Sequence, residues 1–458
     1  MKESLIIGIS GVRGIIGGNL TPIIAAEYGC ALGTFLKNNV QLKKEKLPVV
    51  CIGRDSRPSG DMLKSAVAAG LCSIGINITD LGIVTTPTVG IMVRDLKCAA
   101  GVVITASHNP ARYNGIKVLL WNGMAPPPQV AEEIKKCFLE KKYSFVDSLS
   151  CGKVTFNEQA NNIHIDKALS ITNKDIITSK RFRVVLDSVN GAGGPITKKL
   201  LGELGCEVVA INNEPTGLFA HMPEPLAENL TGLCEAVKTN NAQIGFAQDP
   251  DADRLVVVDE KGNYIGEEYT LVLAAKSVLG KSAGKLATNL STSRMIDDTA
   301  KQLGAEVIRT AVGEVNVANA MVEHNCVIGG EGNGGVIDLR VGPVRDSLVG
   351  IVLILQLMAE TGKTISSLVG DIPPYYMRKQ KFAVKTEDVK HILDRTKKTF
   401  AEAKIDTTDG CRFDFDDGWL HIRPSNTEPV IRVIAEAENE SAVRKYISMV
   451  YSILSRFS

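Results

Sequence analysis

The stretch "AAGVVITASHNPARYNGIKV", Ala99 to Val118, decides the fold of this chain. Its apolar run "GVVIT" is typical of a buried strand. Pro110 disfavours helical geometry at the residue before it, so we expect Ser107 and His108 to lie on a turn at the carboxyl end of that strand. Open α/β sheets bind their ligands at this edge. The stretch therefore predicts an α/β domain that presents a serine and a histidine at the edge of its sheet.

The same alternation of apolar strands and amphipathic helices recurs along the chain. In the first third, "SLIIGIS" and "LPVVCIG" are typical of strands, and "TPIIAAEYGCALGTFLKN" is typical of a helix. The pattern restarts at "RFRVVLDSVNGAGG" and again at "GKLATNLSTS". We therefore expect three similar α/β domains with mixed sheets in tandem, over residues 1–150, 151–256 and 257–372.

From Tyr375 onward the order of the elements changes. A charged strand, "MRKQKFAV", is followed by a helical segment, two strand segments and a final helix. This order predicts a smaller α+β domain over residues 373–458. The dipeptide Pro373-Pro374 suits a linker better than a packed element, so we expect a hinge there.

Composition and charge narrow the class of protein. The chain has 458 residues, 44% of them hydrophobic, and a formal net charge of +1, which leaves no extended basic face for a nucleic acid. Ten cysteines occur without any C-x-x-C pair, as expected of reduced thiols. The apolar segment Leu348–Ala359 is shorter than the roughly 20 residues of a membrane span and predicts a buried helix. We expect a cytoplasmic enzyme with a small anionic ligand and with no nucleic-acid or membrane partner.

A second polar loop, "DPDADR", follows the apolar run "AQIGFA" and precedes "LVVV". Alternate residues of an extended chain point to one side, so Asp249, Asp251 and Asp253 are predicted to converge. Carboxylates about 5 Å apart repel by roughly 3 kcal/mol per pair at an effective dielectric of 20, and a cation would relieve this. A few oxygen ligands suit magnesium. Two alternatives stay open: an exposed acidic turn, or a phosphatase in which Asp249 is the nucleophile and Ser107 has no role.

Two further loops carry polar groups among turn residues. In "GGEGNGG", Gly329 to Gly335, Glu331 and Asn333 offer hydrogen-bonding groups suited to sugar hydroxyls. In "RPSNTEPVIR" the residues suited to an anionic oxygen cluster are Arg423, Ser425, Asn426, Thr427 and Arg432. A salt-bridged surface turn would also explain this loop. Arg13, in the loop "GISGVRG", is best explained as a phosphate ligand, because its glycine spacing is not that of a dinucleotide fingerprint.

These four loops, in this order, resemble those of the α-D-phosphohexomutase family over essentially the whole chain. "TASHNP" is similar to the family's phosphoserine loop, "DPDADR" to its magnesium loop, "GGEGNGG" to its sugar-specificity loop and "RPSNTEPVIRV" to its phosphate-binding loop. The resemblance implies three α/β domains and a smaller, mobile fourth domain around a central active-site cleft.

The resemblance also implies a role for each loop. Ser107 would carry the phosphoryl group, and one Mg²⁺ per chain would be held by a phosphoserine oxygen together with the three aspartates. Arg13, Arg254 and His108 would steady the transferring group, and Lys117 would be the general base and acid. Glu331 and Asn333 would bind sugar hydroxyls, while the loop of Arg423 would hold the phosphate that is not transferred.

The implied reaction moves a phosphoryl group between O6 and O1 of a hexose phosphate through a hexose bisphosphate. The third loop, with Asn333 where many relatives have serine, is similar to a phosphoglucosamine mutase branch, which implies glucosamine phosphates as substrates and supply of amino-sugar nucleotide precursors. Phosphomannomutase and phosphoglucomutase remain alternatives within the family, and an aspartate phosphatase and a non-catalytic sugar-phosphate sensor remain outside it. We expect a monomer or a homodimer.

Overall fold

The computed structural model describes residues 5–9, 11–39, 48–425 and 430–455, with the backbone alone for Thr386. These residues form four sheets with helices packed against them. None of the helices in this part of the chain combines the length and the apolar character that crossing a membrane requires.

The first domain is built on a sheet whose described strands lie in the order β1-β2-β6-β5-β3-β4-β7. Its strands are β1 (Ile6–Gly8), β2 (Gly11–Ile15), β3 (Val49–Arg54), β4 (Asn77–Ile83), β5 (Ala100–Ile104), β6 (Tyr113–Leu120) and β7 (Val154–Phe156). Its helices are α1 (Pro22–Asn39), α2 (Gly60–Ser73), α3 (Thr86–Asp95) and α4 (Pro128–Glu140). Strand β3 pairs in parallel with β4 and β5, and β6 pairs antiparallel with β5. The sheet is therefore mixed.

The second and third domains are built on smaller sheets. The second has the helices α5 (Ala160–Ser170), α6 (Lys174–Lys180), α7 (Gly193–Glu203) and α8 (Thr231–Thr239), and the strands β8 (Arg183–Asp187), β9 (Glu207–Ile211), β10 (Ile244–Gln248) and β11 (Leu255–Val258). The third has the strands β12 (Lys285–Asn289), β13 (Glu306–Thr310), β14 (Ile328–Glu331) and β15 (Gly335–Ile337). Its helices are α9 (Glu268–Leu279), α10 (Met295–Gln302), α11 (Glu314–His324), α12 (Ser347–Thr361) and α13 (Ile365–Gly370).

The sheets of the first three domains contain the same arrangement of four strands, as the repeated sequence pattern predicts. The strand orders are β6-β5-β3-β4, β11-β10-β8-β9 and β15-β14-β12-β13, and in each the first pair is antiparallel and the others are parallel. In each domain one central parallel strand is therefore followed by an antiparallel neighbour. The loop between these two strands lies at the carboxyl edge of the parallel strands, where α/β sheets bind ligands.

The fourth domain is an antiparallel sheet in the order β16-β20-β19-β18-β17 with two described α-helices. Its elements are β16 (Tyr376–Ala383), α14 (Val389–Thr399), β17 (Lys404–Asp406), β18 (Cys411–Asp414), β19 (Gly418–Pro424), β20 (Val430–Ala437) and α15 (Glu440–Leu454). The sequence analysis did not anticipate β17. The predicted fold class, three similar α/β domains followed by an α+β domain, is confirmed.

The apolar cores show which domains share buried contacts. A single cluster of buried residues joins the second and third domains, from Ile165 in α5 to Ile372 after α13, and also includes Ile91 of α3. Helix α12 lies inside it, with every residue from Ser347 to Ala359 buried, which confirms the predicted buried helix. One cluster lies within the first domain and one within the fourth, and a further cluster packs Met124 of the first domain against the third.

Polar pairs connect the fourth domain to the third. Arg294 N donates to Glu436 Oε1 at 2.7 Å, and Ser291 Oγ lies 2.9 Å from His421 Nδ1. Hydrogen bonds between polar side chains and backbone groups therefore form part of the interface between the third and fourth domains.

The sheets also bear on the domain boundaries. β7 pairs with β4 in the first sheet, and β11 pairs along its whole length with β10 in the second. We therefore propose that the first domain extends past residue 150 through β7, and the second past residue 256 through β11. The boundary at residue 372 lies in the segment between α13 and β16, as proposed from the two prolines.

Candidate active site

Ser107 lies on a turn directly after β5, as the sequence predicts. Its φ of +49° is left-handed, a conformation that a serine adopts only where its surroundings enforce it. Its backbone N–H donates to Thr105 Oγ1 at 2.9 Å, which holds the turn. The Ser107 Oγ donates to Asp249 Oδ2 at 3.0 Å and lies 3.2 Å from His108 Nδ1. The turn therefore aims the hydroxyl of Ser107 at the loop of the second domain.

Arg57, which the sequence analysis missed, holds the turn of Ser107 from behind. The Arg57 guanidinium is fully buried and donates to four backbone carbonyls, those of Ser107 and Asn109 at 2.7 Å, Pro110 at 2.8 Å and Tyr113 at 3.0 Å. Its remaining N–H forms an ion pair of 3.0 Å with the equally buried Asp55. Both residues follow β3, the parallel neighbour of β5, so they lie at the same sheet edge. The rule that α/β sheets bind ligands at the carboxyl ends of parallel strands, which located Ser107, also points to Arg57.

Asp249, Asp251 and Asp253 converge after β10, and oxygen atoms of the three carboxylates lie within 4.8 Å of one another. The predicted geometry was wrong, because the segment is a turn and not an extended chain. Ala252 has a left-handed φ of +53°, and its N–H donates to the carbonyl of Asp249 at 2.9 Å. All three aspartates are buried. A tight turn therefore gathers the carboxylates and removes them from water.

A hydroxyl of the first domain holds Asp251, and a guanidinium of the third domain holds Asp253. Thr86 Oγ1 donates to Asp251 Oδ2 at 2.6 Å, and Arg345 Nη2 donates to Asp253 Oδ2 at 2.6 Å. The second oxygen of each, Oδ1, is buried and has no hydrogen-bond partner among the described residues. Burial and the neighbouring carboxylates raise the pKa of Asp249 well above its usual range. Buried, mutually repelling oxygens with free lone pairs fit a small divalent cation.

The pKa of Asp253 shifts in the opposite direction from that of Asp249. Burial raises the pKa, but the positive charges of Arg345, Lys117 and Arg254 outweigh burial and hold it below its usual range. Asp253 is therefore ionised in the folded protein.

Lys117 and His108 lie on either side of this acidic cluster. Lys117 Nζ lies 3.7 Å from Asp253 Oδ2. Burial lowers the pKa of Lys117, but Glu314 and Asp253 outweigh burial and raise it above the ordinary lysine value. Burial, followed by Arg254 and Arg13, lowers the pKa of His108 to about 2. At neutral pH the lysine is therefore charged and the imidazole is neutral.

Arg13 and Arg254, the two arginines predicted to steady the phosphoryl group, lie beside the turn of Ser107 and the loop of Asp249. Arg13 Nη1 donates to Asn109 Oδ1 at 2.9 Å, beside the turn of Ser107. Arg254 N donates to Asp249 Oδ1 at 3.2 Å, and its guanidinium Nη1 lies 3.8 Å from Glu224 Oε1. Glu224, which the sequence analysis did not single out, also lies 3.8 Å from His108 Nε2.

Glu331 ends β14 and is held by three groups. Its Oε1 accepts from Asn289 Nδ2 at 2.7 Å and from Gly313 N at 3.1 Å, and its Oε2 accepts from Arg345 Nη1 at 2.8 Å. Asn333 follows, and its Oδ1 is buried with no partner in the described part of the chain. A Cβ at Gly334 would lie 2.3 Å from a backbone oxygen, so glycine is required there. The loop therefore presents a fixed carboxylate and a buried acceptor.

Arg345, also missed, connects two loops: residues 249–254, called the metal loop for their predicted role, and residues 329–335, called the sugar loop for theirs. Besides Asp253 and Glu331, it donates through Nε to Glu314 Oε2 at 2.9 Å. These three carboxylates outweigh the opposing effect of burial and raise the pKa of Arg345 above its ordinary value. A single guanidinium thus fixes the second and third loops relative to each other.

The fourth loop is connected to Glu331 through Asp409. Arg423 Nε and Val312 N donate to Asp409 Oδ2 at 2.9 and 3.0 Å, and Gly313, the next residue, is bonded to Glu331. Arg432 lies directly opposite Arg423 on the neighbouring strand, and its buried Nε has no partner within the described ranges.

Two of the predicted phosphate ligands lie outside the described residues. These are Asn426 and Thr427. Ser425, just before them, donates through its backbone N–H to the carbonyl of Val430 at 2.9 Å, which closes the loop. Of the predicted site residues that the structure describes, those of the first three loops other than Asn333 are connected by the contacts above, and Arg423 is connected to Glu331 through Asp409, Val312 and Gly313.

Four family models match successive parts of the chain. They are the phosphoglucomutase/phosphomannomutase alpha/beta/alpha domains I, II and III over residues 4–144, 162–262 and 266–376, and the C-terminal domain over residues 379–453. The chain belongs to the phosphoglucomutase/phosphomannomutase family. It is therefore an enzyme of the phosphohexomutase class.

Individual relatives agree with this assignment. The chain is 40% identical over 453 residues to a phosphoglucomutase/phosphomannomutase of Thermococcus kodakarensis, with 98% of each chain covered. It is 38% identical over 442 residues to a protein of Methanopyrus kandleri named a probable phosphoglucosamine mutase, which covers 96% of this chain and 95% of the relative. The crystal structure of a phosphoglucomutase/phosphomannomutase family protein from Burkholderia thailandensis, 26% identical, matches with a TM-score of 0.85 over 98% of this chain and 97% of that one.

Proposed function

We propose that the protein moves a phosphoryl group between O6 and O1 of a hexose phosphate, with Ser107 as the carrier of the group and a hexose bisphosphate as the intermediate. The observation that carries the proposal is the Ser107 Oγ, held 3.0 Å from Asp249 Oδ2 beside three buried carboxylates. A hydroxyl is a weak nucleophile alone, and phosphoryl transfer depends on positioning and on neutralising charge. This site supplies both.

The three aspartates are suited to hold Mg²⁺ together with an oxygen of phosphorylated Ser107. When bound, the ion would neutralise charge on the phosphoryl oxygens. The buried and unbonded Oδ1 atoms of Asp251 and Asp253 support this assignment. In the same region, Arg13 and Arg254 would donate hydrogen bonds to the phosphoryl oxygens. His108, which is neutral at pH 7, would orient the oxygen of Ser107 without adding charge.

Lys117 Nζ is our candidate for the atom that moves the proton. Its raised pKa means that the amine is protonated at neutral pH. It would therefore donate a proton to the sugar oxygen that loses the phosphoryl group, and in the reverse transfer the neutral amine would accept the proton of the attacking hydroxyl.

The phosphate that is not being transferred would be bound by the fourth domain. Arg423 and Arg432 face each other across two strands, and like charges in that position repel. An anion between them would replace this repulsion with attraction. Because the bisphosphate must turn over before it returns its second phosphate to Ser107, this site has to accept either end of the sugar.

Glucosamine 6-phosphate and glucosamine 1-phosphate are the substrates that the third loop favours. The orphaned acceptor Asn333 Oδ1, close to the fixed carboxylate of Glu331, suits a group that only donates hydrogen bonds, and the 2-ammonium of glucosamine is such a group. A relative named a probable phosphoglucosamine mutase supports this choice, whereas the phosphoglucomutase/phosphomannomutase of Thermococcus kodakarensis supports glucose and mannose phosphates.

The substrate is tested by coupled assays of kcat/KM on the glucosamine, glucose and mannose phosphates. We expect the glucosamine pair to be preferred, and Asn333→Ser to reduce that preference while activity on the other two pairs persists. A wild-type preference for glucose or mannose phosphates would contradict the glucosamine assignment and leave the mutase assignment intact.

The phosphoserine is tested by intact mass spectrometry after incubation with a hexose bisphosphate. The wild-type protein should gain one phosphate, and Ser107→Ala should gain none and lose turnover by roughly a thousandfold or more. Ser73→Ala is the control, because the Ser73 hydroxyl donates to a helix carbonyl, that of Gly70. Labelling of Asp249 instead of Ser107 would replace the mutase mechanism with an aspartate phosphatase.

A further inference from the structure

Two helix N-termini hold the metal loop. At the start of α3, Thr86 donates through its hydroxyl to Asp251 Oδ2 at 2.6 Å and through its backbone N–H to the Asp251 carbonyl at 3.0 Å. At the start of α12, Arg345 donates to Asp253, and Ser347 Oγ donates to the carbonyl of Ala252 at 2.7 Å. The separation of these two helix ends therefore sets the positions of Asp251 and Asp253.

One buried imidazole joins the two helix ends. His164, in α5, lies with Nδ1 2.8 Å from Thr88 Oγ1 in α3 and with Nε2 2.7 Å from Asp346 Oδ2 at the start of α12. His164 and Thr88 are 0% exposed and Asp346 is 2% exposed. The three side chains come from the first, second and third domains.

Both partners of His164 belong to the caps of their helices. Asp346 is the N-cap of α12 and accepts from Leu348 N at 2.9 Å. Thr88 donates its backbone N–H to Thr85, the N-cap of α3, and the two hydroxyls lie 2.7 Å apart. A hydrogen-bonded path therefore runs from one cap to the other through the imidazole ring.

We propose that His164 is a positioning residue for the metal loop: it fixes the separation of the two helix ends that hold Asp251 and Asp253. This inference rests on the proposed function, because it assumes that the loop binds a divalent cation. An apolar residue would pack into the same space without needing partners, whereas each nitrogen of a buried imidazole must be satisfied. The two partners define both a distance and an angle, and partners of this kind orient the ligands of a metal site.

The test uses the full chain and Mn²⁺ as the probe, followed by electron paramagnetic resonance, together with steady-state kinetics. His164→Phe removes both contacts and keeps a ring, and Thr88→Val removes one hydroxyl and keeps the shape. We expect Mn²⁺ to bind about tenfold more weakly to each variant. The KM for the sugar phosphate should stay unchanged, and His164→Gln, which keeps a polar partner, should recover part of the loss.

Gln356→Ala is the matched control. Gln356 also lies in α12, is 3% exposed, and joins the second and third domains by accepting from Thr172 Oγ1 and Asn173 N, both at 2.6 Å. Among the described residues these hydrogen bonds do not lead to the metal loop, so its loss should lower the melting temperature without weakening Mn²⁺ binding.

The inference is overturned if folded Thr88→Val and His164→Gln bind Mn²⁺ within about twofold of wild type. It is also overturned if Gln356→Ala weakens binding as much as they do, because the effect would then be a general loss of rigidity. Thr88→Val decides the question if His164→Phe does not fold. Asp251→Asn tests the metal site separately from the role of His164. If this variant binds Mn²⁺ as wild type does, the proposed metal site itself is wrong.

Discussion

Replacing Arg345 with methionine tests the guanidinium that joins the metal loop to the sugar loop. The substitution keeps much of the side-chain volume and removes the charge. It leaves the carboxylates of Asp253, Glu331 and Glu314, whose side chains are 1%, 5% and 11% exposed, without the cation that lies 2.6 to 2.9 Å from each. Breaking a buried ion pair by removing one partner costs about 3–5 kcal/mol. We expect Arg345→Met to lower the free energy of unfolding by at least about that amount.

The measurement is urea unfolding of the metal-free protein, with Arg444→Met as the control. Arg444 pairs with Glu440 in α15, and the two side chains are 64% and 47% exposed, so its loss should cost less than about 1 kcal/mol. Adding Mg²⁺ should recover part of the stability lost in Arg345→Met, because the ion neutralises Asp253. Equal unfolding midpoints for the two variants would refute the reasoning.

Three further predictions follow from the site. In Arg57→Lys, one ammonium cannot reach the four carbonyls that the guanidinium bonds. In steady-state assays kcat should therefore fall by about tenfold, or about 1.4 kcal/mol, with KM unchanged. A change in KM alone would count against this role of Arg57. In the second domain, His221 Nε2 lies 3.1 Å from Asp187 Oδ2. Burial lowers the pKa of His221, but the hydrogen bond and charge of Asp187 outweigh burial and raise it. The stability that this pair adds is therefore full below pH 6.5 and lost as the pH rises through the raised pKa, and thermal unfolding of Asp187→Asn should lack this pH dependence. Mg²⁺ at about 100 times its Kd should stabilise the fold by about 2.7 kcal/mol, and Asp251→Asn should abolish the gain in melting temperature; a gain that survives in the variant would place the ion elsewhere.

The sequence predicts the parts of the site that follow a single strand. Ser107, Asp249 and Glu331 each lie at or directly after the end of a central parallel strand, so the periodicity of the strands together with the rule about sheet edges is enough to locate them. The turn that gathers the aspartates could not be predicted, because the left-handed geometry of Ala252 depends on its packing in the folded protein and not on its residue type.

Residues that act between domains leave little signal in the sequence. Arg345 precedes a buried helix by two positions, and its three carboxylates lie 14, 31 and 92 positions away. Periodicity describes neighbours along the chain, and it does not report contacts at such separations. The two buried partners of His164, Thr88 and Asp346, lie 76 and 182 positions away and are visible only once three domains are assembled.

The shared apolar core of the second and third domains has a consequence for how this enzyme can change over evolutionary time. The three aspartates and Glu331 are carried by one continuous block, whereas Arg423 and Arg432 are carried by a domain with a separate core. Substitutions inside the fourth domain can therefore alter how firmly the non-transferred phosphate is retained without disturbing the packing beneath the aspartates or Glu331.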